Sequence, residues 1–459
     1  MTSQNPPFAS APPAPSPPQR RIVGHLPAFM NDRIGLIMKS LAEYGDVVKL
    51  SCPPATIHII AHPEDVKTVL HDRYTHFSKG SPGFLKVKQL LGEGLLTSEG
   101  DLWRRQRRLA QPSFSRQRVA RFATLMTETA SRQIEGWQEH IETQRPLPVA
   151  SEMMRLTLAI IGKALFGADL SEKDAGVVER GIVTFLEHAR KTTYRLIDLS
   201  WILPSKSQRQ YEEAKKDLDA LVYRIIERRR REGAEGYDLI SMLLQATDDE
   251  TGEGMSDEQL RDEVMTMIIA GYETTSTALA WIWTALSLHP GVARRWRREL
   301  QTVLGDRLPT VTDLPELAYT EKVIKETMRL YPSAWSMSRL VVEDEVLSGY
   351  AIPAGSLVFV CPYAVHRHPE FWPNPEGFDP ERFAPEAEEG RHRFAYLPFG
   401  AGPRNCIGQH FAMMELKLVL ATIGQRYALN LEPGHKIEVD PTVTLRPKGD
   451  LPMRVTALV

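Results

Sequence analysis

The sequence of 459 residues lacks any run of about 18 consecutive apolar residues, the length that a helix needs to cross a membrane. It also lacks an export signal, because no hydrophobic segment follows the twin arginines Arg20 and Arg21. These two absences predict a soluble protein without a membrane anchor, located in the cytoplasm.

Cysteine is scarce, and an excess of charge of one sign is missing. Cys52, Cys361 and Cys406 form no Cys-x-x-Cys pair, which argues against disulfides and structural zinc and fits a reducing compartment. The net charge of −2 gives no basic excess, so we expect no nucleic-acid partner. No Walker loop or Gly-x-Ser-x-Gly elbow occurs, and Gly400-x-Gly402 lacks the third glycine of a dinucleotide-binding fingerprint.

The patterning of the chain predicts a mainly α-helical protein with small β-sheets, that is, an α+β fold. Residues 1–18 are rich in proline, serine and alanine and predict a disordered or polyproline tail. Residues 19–459 show no repeat and no linker, which predicts one domain. Helical periodicity dominates to about residue 330, and short β-rich pieces follow. Alternating patterns at residues 47–60 and 441–459 predict two hairpins.

One cysteine lies in an unusual loop. Gly400, Gly402 and Gly408 surround Cys406, Arg404 precedes it by two residues, and an apolar, helix-forming run follows at residues 411–420. The glycines allow turns and the close approach of a flat ligand, and a helix N-terminus stabilises a thiolate. A lone intracellular cysteine is most often a buried structural residue. Thiolate ligation of haem iron explains the surrounding residues better, because it needs an ionised, sheltered and approachable sulfur.

The ten residues from Phe399 to Gly408 resemble the haem-binding signature of the cytochrome P450 family, Phe-x-x-Gly-x-x-x-Cys-x-Gly. The resemblance implies the cytochrome P450 fold, in which a long central helix crosses over the haem. It also implies haem b (iron protoporphyrin IX) as cofactor and Cys406 as the axial ligand of its iron. Phe399, Gly400, Arg404 and Gly408 would then line the cofactor.

A capping box predicts where the long central helix begins. Ser256 and Gln259 have the spacing of the box, and the helical pattern after them continues to about residue 288. His289 and Pro290 end it.

The middle of this predicted helix contains Ala270-Gly271-Tyr272-Glu273-Thr274. Glycine costs about 1 kcal/mol relative to alanine inside a helix, and a helix–helix crossing that needs a small residue would explain it. The segment also resembles the oxygen-binding motif of the family, Ala/Gly-Gly-x-Asp/Glu-Thr. The resemblance implies that Ala270 and Gly271 line the distal pocket, and that Glu273 and Thr274 are the catalytic acid and hydroxyl that relay protons.

Glu326 and Arg329 lie three residues apart on a predicted helix, where their side chains can pair. Alone, such a surface pair is common and contributes under about 1 kcal/mol. The spacing also resembles the family's Glu-x-x-Arg motif, which Arg382 in Pro-Glu-Arg-Phe would complete. The resemblance implies a buried structural network that holds the loop presenting Cys406.

The two propionates of haem need cations. Trp103 and Arg107 resemble the Trp-x-x-x-Arg motif of the family, whose side chains reach one propionate. Gln106 departs from the histidine that many bacterial members have near this point. Arg339 and Arg404 are further candidates for propionate contacts.

The resemblance implies a monooxygenase that inserts one atom of O2 into a hydrophobic molecule such as a fatty acid, terpenoid or polyketide. The retained Glu273-Thr274 pair favours this function. The alternative is a haem-thiolate protein that binds or senses a ligand, or an isomerase that needs no external electrons. No flavin domain is fused to the chain, so electrons from NAD(P)H would arrive through a reductase and a separate ferredoxin or flavodoxin. We expect a monomer.

The segments that would face the substrate are largely apolar, which predicts a hydrophobic substrate. They are residues 81–96, 185–203, 334–337 and 443–444. The sequences at 201–204 and 444–449 look more like the fatty-acid-hydroxylating and eukaryote-like branches than the camphor-type branch. A basic face with Arg104, Arg105 and Arg108 could receive an acidic redox partner. The acidic residues 248–253 predict a solvated loop, since their spacing does not match a calcium loop.

Overall fold

The structure is a computed structural model that describes residues 7–167, 171–192, 206–231, 233 and 236–458. The chain divides into two compact units. Unit 1 combines Met1–Leu85 with Glu326–Cys406, and unit 2 combines Lys86–Lys325 with Ile407–Val459. The single domain expected for residues 19–459 remains a prediction.

The described residues form α-helices that we number in chain order. They are α1 (Leu26–Asn31), α2 (Arg33–Tyr44), α3 (Pro63–Lys67), α4 (Pro82–Leu91), α5 (Gly100–Ala110), α6 (Arg116–Val119), α7 (Ala123–Glu135), α8 (Gln138–Thr143), α9 (Val149–Phe166), α10 (Glu172–Thr192), α11 (Lys206–Arg231), α12 (Leu239–Gln245), α13 (Asp257–Leu288), α14 (Pro290–Leu304), α15 (Ala318–Leu330), α16 (Pro362–Val365), α17 (Pro385–Glu388) and α18 (Gln409–Gly424). None of the helices within the described ranges combines the length and the apolar character needed to span a membrane.

The strands are shorter and fewer, which confirms the predicted α+β class. They are β1 (Val47–Cys52), β2 (Ala55–Ile60), β3 (Phe77–Ser78), β4 (Leu147–Pro148), β5 (Met337–Val341), β6 (Glu345–Leu347), β7 (Tyr350–Ile352), β8 (Leu357–Val360), β9 (Tyr427–Leu431), β10 (Val439–Pro441), β11 (Leu445–Pro447) and β12 (Pro452–Ala457).

Unit 1 contains a five-stranded sheet with the strand order β1-β2-β8-β5-β3. β1 and β2 are antiparallel neighbours, with Val47 opposite Ile60, which confirms the first predicted hairpin. β2 runs parallel to β8, with Ile57 opposite Leu357. Side chains from these strands join one buried apolar core with Leu397, which lies just before the cysteine loop.

The proline-rich N-terminal segment packs along this sheet. The N–H of Ala351 donates to the carbonyl of Pro12 (2.9 Å), and the N–H of Lys49 donates to that of Pro15 (2.8 Å). Ala14 is buried in the apolar core. Prolines lack an N–H but keep their carbonyl acceptors, so such a segment can dock along strands through its carbonyl groups. Residues 12–17 therefore differ from the disordered tail expected for residues 1–18.

The long helix α13 in unit 2 has the predicted ends. The Ser256 side chain accepts from the N–H of Gln259 (3.1 Å), and the Gln259 side chain accepts from the N–H of Ser256 (3.3 Å). The helix ends at Leu288, and α14 begins at Pro290. Most side chains from residue 260 to residue 286 are buried, because the sequence is apolar around nearly the whole helix and α9 packs along it.

The C-terminal strands differ from the hairpin expected at residues 441–459. The hairpin is formed earlier, by β10 and β11, with Val439 opposite Pro447. β12 instead pairs with β9 and β4, so that Met453 lies opposite both Leu431 and Leu147. An alternation of apolar and polar residues indicates a strand but not the strand with which it pairs. The hairpin expected at residues 441–459 was wrong for this reason.

Candidate active site

Cys406 differs from the other two cysteines in exposure. Burial raises the pKa of both the Cys52 thiol and the Cys361 thiol to about 11. Cys406 is exposed at the end of its loop, and its N–H donates to the carbonyl of Phe399 (2.9 Å). Cys406 is therefore the cysteine of this chain whose sulfur a ligand can reach.

Two glycines determine the shape of the cysteine loop. Gly400 and Gly402 both have φ of +70°, a conformation that side-chain-bearing residues rarely adopt. A Cβ on Gly402 would lie 1.9 Å from the carbonyl oxygen of Leu70, so the loop can approach this backbone only because the residue is glycine. Helix α18 begins at Gln409 with Gly408 as its N-cap, as the predicted helix after the cysteine requires.

The candidate cationic residues are divided between the two units. In unit 1, Arg339 is buried on β5 and donates to the carbonyl of Ser338 (2.8 Å), while Arg404 is half-buried in the cysteine loop. In unit 2, Trp103 is buried and Arg107 is half-buried one helical turn further along α5. The i, i+4 spacing places Trp103 and Arg107 on one face of that helix.

Gln106, which departs from the family pattern, is fully buried and structural. Its Nε2 donates to the carbonyl of Glu93 (2.6 Å), and its Oε1 accepts from the hydroxyl of Ser98 (2.5 Å). It thus connects α5 with the preceding loop. Residues three apart lie on the same face of a helix, so the position of Gln106 three residues after Trp103 was the one feature of the sequence that indicated its burial.

The middle of α13 is open on one face. Ala270 is exposed, and Gly271 and Thr274 are half-exposed, although the helix around them is buried. The Thr274 hydroxyl donates to the carbonyl of Ala270 (2.6 Å). A Cβ on Gly271 would lie 3.0 Å from Cδ1 of Ile161 on α9, so the expected helix–helix crossing is present. The small residues thus serve packing and also leave one strip of the helix accessible.

Glu273 points away from this open strip into the protein. Its carboxyl is buried and accepts a hydrogen bond from the Thr444 hydroxyl (2.8 Å). Burial raises the pKa of Glu273, while the hydrogen bond from Thr444 and the charge of Arg446 partly oppose the rise. Asp440 on β10 adds a smaller upward effect. Thr444, which we expected to face substrate, is therefore the partner of the candidate acid.

Glu326, Arg329 and Arg382 come together in unit 1. Both side chains of the Glu326–Arg329 pair have no exposed surface, and Nε and Nη2 of Arg329 donate to the two carboxylate oxygens (2.7 and 2.9 Å). Nε of Arg382 lies 3.4 Å from Glu326 Oε1. The remaining N–H groups of Arg329 donate to the carbonyls of His366, Pro375 and Gly377.

His366 links this ion pair to the start of the cysteine loop, a connection that the sequence did not reveal. Its Nδ1 donates to the carbonyl of Arg329 (3.2 Å), and its Nε2 accepts from the N–H of Leu397 (2.9 Å). Complete burial lowers the pKa of His366 to about 3, so the ring is neutral and can donate and accept at once.

The basic face expected on α5 is largely neutralised within unit 2. Arg108 donates to Asp248 (3.0 Å) and Glu250 (2.9 Å), and Arg105 lies 3.8 Å from Asp248. The Asp248 side chain is buried, whereas residues 249–253 are exposed, as expected for a solvated loop. The acidic stretch also forms ion pairs with α5.

The segments that we expected to face the substrate differ in their burial and in whether the structure describes them. Residues 193–203, including the Trp-Ile-Leu-Pro sequence that begins at residue 201, lie outside the described residues. Trp335 is almost completely buried, whereas Val443 is half-exposed. Residues 82–91 form α4, and the loop after it docks on α13.

Comparison with known proteins identifies the family. The sequence model described as cytochrome P450 matches residues 13–452. This chain belongs to the cytochrome P450 family, and it is a haem-dependent monooxygenase.

The relatives and solved structures extend over nearly the whole chain. Cyclooctatin synthase of Streptomyces melanosporofaciens is 37% identical over 89% of this chain and 88% of its own length. Pentalenene oxygenase of Streptomyces avermitilis is 32% identical over 95% of both chains. The crystal structure of the cytochrome P450DA heme domain has a TM-score of 0.89, with 30% identity and 98% of each chain covered.

The residues of this chain fit the haem that the family implies. Cys406 offers an exposed thiol at the end of a loop in which glycines keep the backbone free of side chains. Among the described residues, no group of three or more His, Cys, Asp or Glu side chains could hold a separate metal ion. A single thiolate suits haem iron, since the porphyrin would supply the nitrogen ligands and the protein would need to supply one thiolate.

Proposed function

We propose that this chain hydroxylates a hydrophobic terpenoid. One atom of O2 enters a C–H bond of the substrate and the other leaves as water, which consumes two electrons and two protons. Bound haem b would supply the activation of O2. The observation that carries the proposal is the open strip of α13, where Ala270 and Thr274 are accessible beside a buried acid, Glu273.

Each candidate residue has a role in this proposal. The Cys406 thiolate would bind the iron. Phe399, Gly400, Gly408, Ala270 and Gly271 would border the macrocycle, and Trp103, Arg107, Arg339 and Arg404 would hold its propionates. Thr274 and Glu273 would move protons from the interior of unit 2 to the open strip. Glu326, Arg329 and Arg382 would hold the cysteine loop in place.

The substrate class rests on the relatives and on the apolar character of the expected substrate segments. Two of the relatives are named cyclooctat-9-en-7-ol 5-monooxygenase and pentalenene oxygenase, both of which act on terpenoids. We therefore place terpenoids ahead of fatty acids and polyketides. Titration of the absorbance spectrum with a panel of all three classes tests this order, and tight binding of fatty acids alone would contradict it.

Turnover separates hydroxylation from the alternative functions. With NAD(P)H, a reductase and a ferredoxin, we expect an alcohol product from a terpenoid that binds. A ligand-binding protein would give no product, and an isomerase would give product without electrons. Thr274→Ala should bind substrate normally but release peroxide instead of coupled product, because the hydroxyl directs protons.

The Cys406 assignment has a spectroscopic test. Cys406→Ala should lose the absorption band that thiolate donation gives the reduced, carbon monoxide-bound protein. Cys52→Ala and Cys361→Ala are the matched controls and should keep the band. Loss of the band in either control would show that the ligand is misassigned.

A separate electron carrier, either ferredoxin or flavodoxin, would dock on α6 and not on the neutralised face of α5. Arg116 and Arg118 are exposed on α6, and within the described residues neither forms an ion pair. Helix α6 packs on α18, and Nε of Arg116 lies 3.5 Å from Nε2 of His410 in the first turn of α18. Exposed arginines on this side suit an acidic carrier.

Charge reversal tests the docking surface. Arg116→Glu and Arg118→Glu should each raise the KM for the carrier severalfold and weaken its dependence on salt, while substrate binding stays unchanged. Arg209→Glu on the exposed face of α11 is the control. An equal effect of the control would contradict the assignment. The monomeric state and the cytoplasmic location stay predictions.

A further inference from the structure

The loop at residues 92–98 is held on α13 by two neighbouring carboxyl groups. The N–H of Glu93 donates to Oδ2 of Asp262 (2.7 Å), and the N–H of Leu95 donates to Oε2 of Glu263 (3.1 Å). The two hydrogen bonds connect the loop directly to the helix that contains Thr274.

Two glycines allow this close contact. A Cβ on Gly92, which has φ of +66°, would lie 2.2 Å from the Asp262 carboxylate oxygens. A Cβ on Gly94 would lie 2.2 Å from Oγ1 of Thr266, two helical turns before Thr274. The loop therefore lies on the helix without space for a side chain between them.

Asp262 and Glu263 differ in their partners. The second oxygen of Asp262 accepts from Nη1 of Arg261 (2.8 Å), so this carboxylate has a cation beside it. The second oxygen of Glu263, Oε1, is buried and has no hydrogen-bond partner among the described residues. Burial raises the pKa of Glu263 to about 8, and the nearby Asp262 charge contributes to the rise. Glu263 is therefore mostly uncharged at neutral pH.

The other charged groups nearby do not change this difference between Asp262 and Glu263. Arg261 is shared with Asp219 on α11, and Glu93 in the loop is paired with Lys88 on α4 (2.6 Å). Tyr223 on α11 lies within reach of the charges of Arg261 and Asp262. From α5, Gln106 is neutral, and Arg105 donates to Gln259 on α13 (3.2 Å). Among these groups, Asp262 is the one whose charge acts on Glu263.

We infer that Asp262 and Glu263 are positioning residues that hold the 92–98 loop closed over α13, and that the loop is released when Glu263 becomes charged. A charged Glu263 under the closed loop would be a buried anion beside a second anion, with one N–H to stabilise it. When the loop lifts, water reaches the carboxylate. We call the two acids and the loop that they hold the latch. A role of the loop at the substrate rests on the proposed function, but the latch itself does not.

The sign of the pH dependence follows from the two states of Glu263. Its pKa is about 8 under the closed loop and near the ordinary 4.5 when the loop is open. The closed state is therefore fully favoured below about pH 4.5, and it weakens as the pH rises towards 8. The population of the open state should rise about tenfold per pH unit in this window and level off above it.

Hydrogen–deuterium exchange of the haem-loaded protein tests the latch without turnover. After correction for intrinsic exchange, the amides of Glu93 and Leu95 should exchange roughly fiftyfold faster at pH 8 than at pH 6. In Glu263→Gln the corrected rates should be flat, since the amide accepts the same hydrogen bond but cannot ionise. Glu258→Gln, an exposed acid on the same helix, should retain the wild-type slope.

Flat corrected exchange in the wild-type protein would overturn the latch, whatever the variants do. A slope that survives in Glu263→Gln would assign the effect to another group and would also overturn it. Because exchange is measured in the absence of substrate, a protein that hydroxylates nothing could still show the latch. The proposed function and this inference can therefore fail separately.

Discussion

Glu326 in unit 1 and Glu273 in unit 2 are both buried glutamates, but their surroundings are opposite. Glu326 receives two N–H groups from Arg329 and the N–H of Asp379 (2.9 Å). Glu273 has one hydrogen bond, from the Thr444 hydroxyl. A buried carboxylate is stable as an anion only when cations and N–H donors replace the lost water. Among the described residues, Glu326 has an ion-pair partner and N–H donors, whereas Glu273 has one hydroxyl donor and only the charge of Arg446 nearby.

This difference separates a structural acid from an acid that can exchange a proton. Loss of the Glu326–Arg329 ion pair would break a network that reaches the cysteine loop through His366. Protonation of Glu273 costs little, because burial already favours its neutral form. The number of donors around a buried acid, more than its burial, indicates which role it has.

The largest expected effect is that of Glu326→Gln. The substitution leaves the Arg329 guanidinium buried without a counter-charge, which should lower the free energy of unfolding by about 3–5 kcal/mol. Thermal unfolding and haem content per folded protein measure the loss. Arg382→Ala should cost less, because Arg382 is partly exposed and lies at the edge of the pair. If the Glu326→Gln protein had native stability and full haem content, Glu326 would not be a structural acid, and its contrast with Glu273 would be wrong.

The same substitution at the second acid should have a small effect. Glu273→Gln should change the free energy of unfolding by no more than about 1 kcal/mol below about pH 4.3, since a neutral amide there replaces a carboxyl that is protonated in both the folded and the unfolded chain. The raised pKa of Glu273 penalises the folded state only where the acid ionises. The stability of the variant relative to wild type should therefore grow as the pH rises above about 4.3.

Denaturant unfolding at several pH values measures this dependence. A decrease in the relative stability of Glu273→Gln with rising pH would mean that Glu273 is stabilised as an anion, as Glu326 is. The two acids would then be equivalent, and the distinction between them would be wrong.

The smallest effect is expected from Thr444→Val, which removes one hydroxyl but keeps the shape of the side chain. The hydrogen bond from the Thr444 hydroxyl favours the ionised form of Glu273, so its loss should raise the pKa of Glu273 further. Infrared titration of the carboxyl C=O band, assigned with Glu273→Gln, measures the shift.

Thr442→Val is the matched control, because it makes the same change two residues away in the same turn. The Thr444→Ser protein should restore the wild-type titration, since it keeps the hydroxyl. An unchanged titration in Thr444→Val would show that Thr444 does not control the acid.

The sequence revealed those parts of the site whose residues are close together in the chain. Ser256 and Gln259, Glu326 and Arg329, and the cysteine loop each have short, fixed spacings that local geometry converts into contacts. Thr444 and Glu273 are 171 residues apart, and no local pattern joins them.

Sequence patterns do not predict contacts between charged residues that are distant in the chain. The arginines of α5 have an exposed helical pattern, but Asp248 and Glu250 from a distant loop neutralise them. The docking of the proline-rich segment was missed for a related reason, since its acceptors are carbonyl groups that every sequence has. The type of a side chain indicates such a long-range contact only when the residue it contacts is already known.

The divided composition of unit 1 has a consequence for the synthesis of the protein. Strand β2 emerges from the ribosome early, but its parallel neighbour β8 belongs to the second segment of the unit, after an interruption of roughly 240 residues. At about 5–20 residues per second, the first segment waits on the order of ten seconds to a minute for its partner strands. During this delay the hairpin of β1 and β2 has an unpaired apolar edge, which is a site for aggregation or chaperone binding. The yield of folded protein should therefore depend on translation speed across residues 86–325.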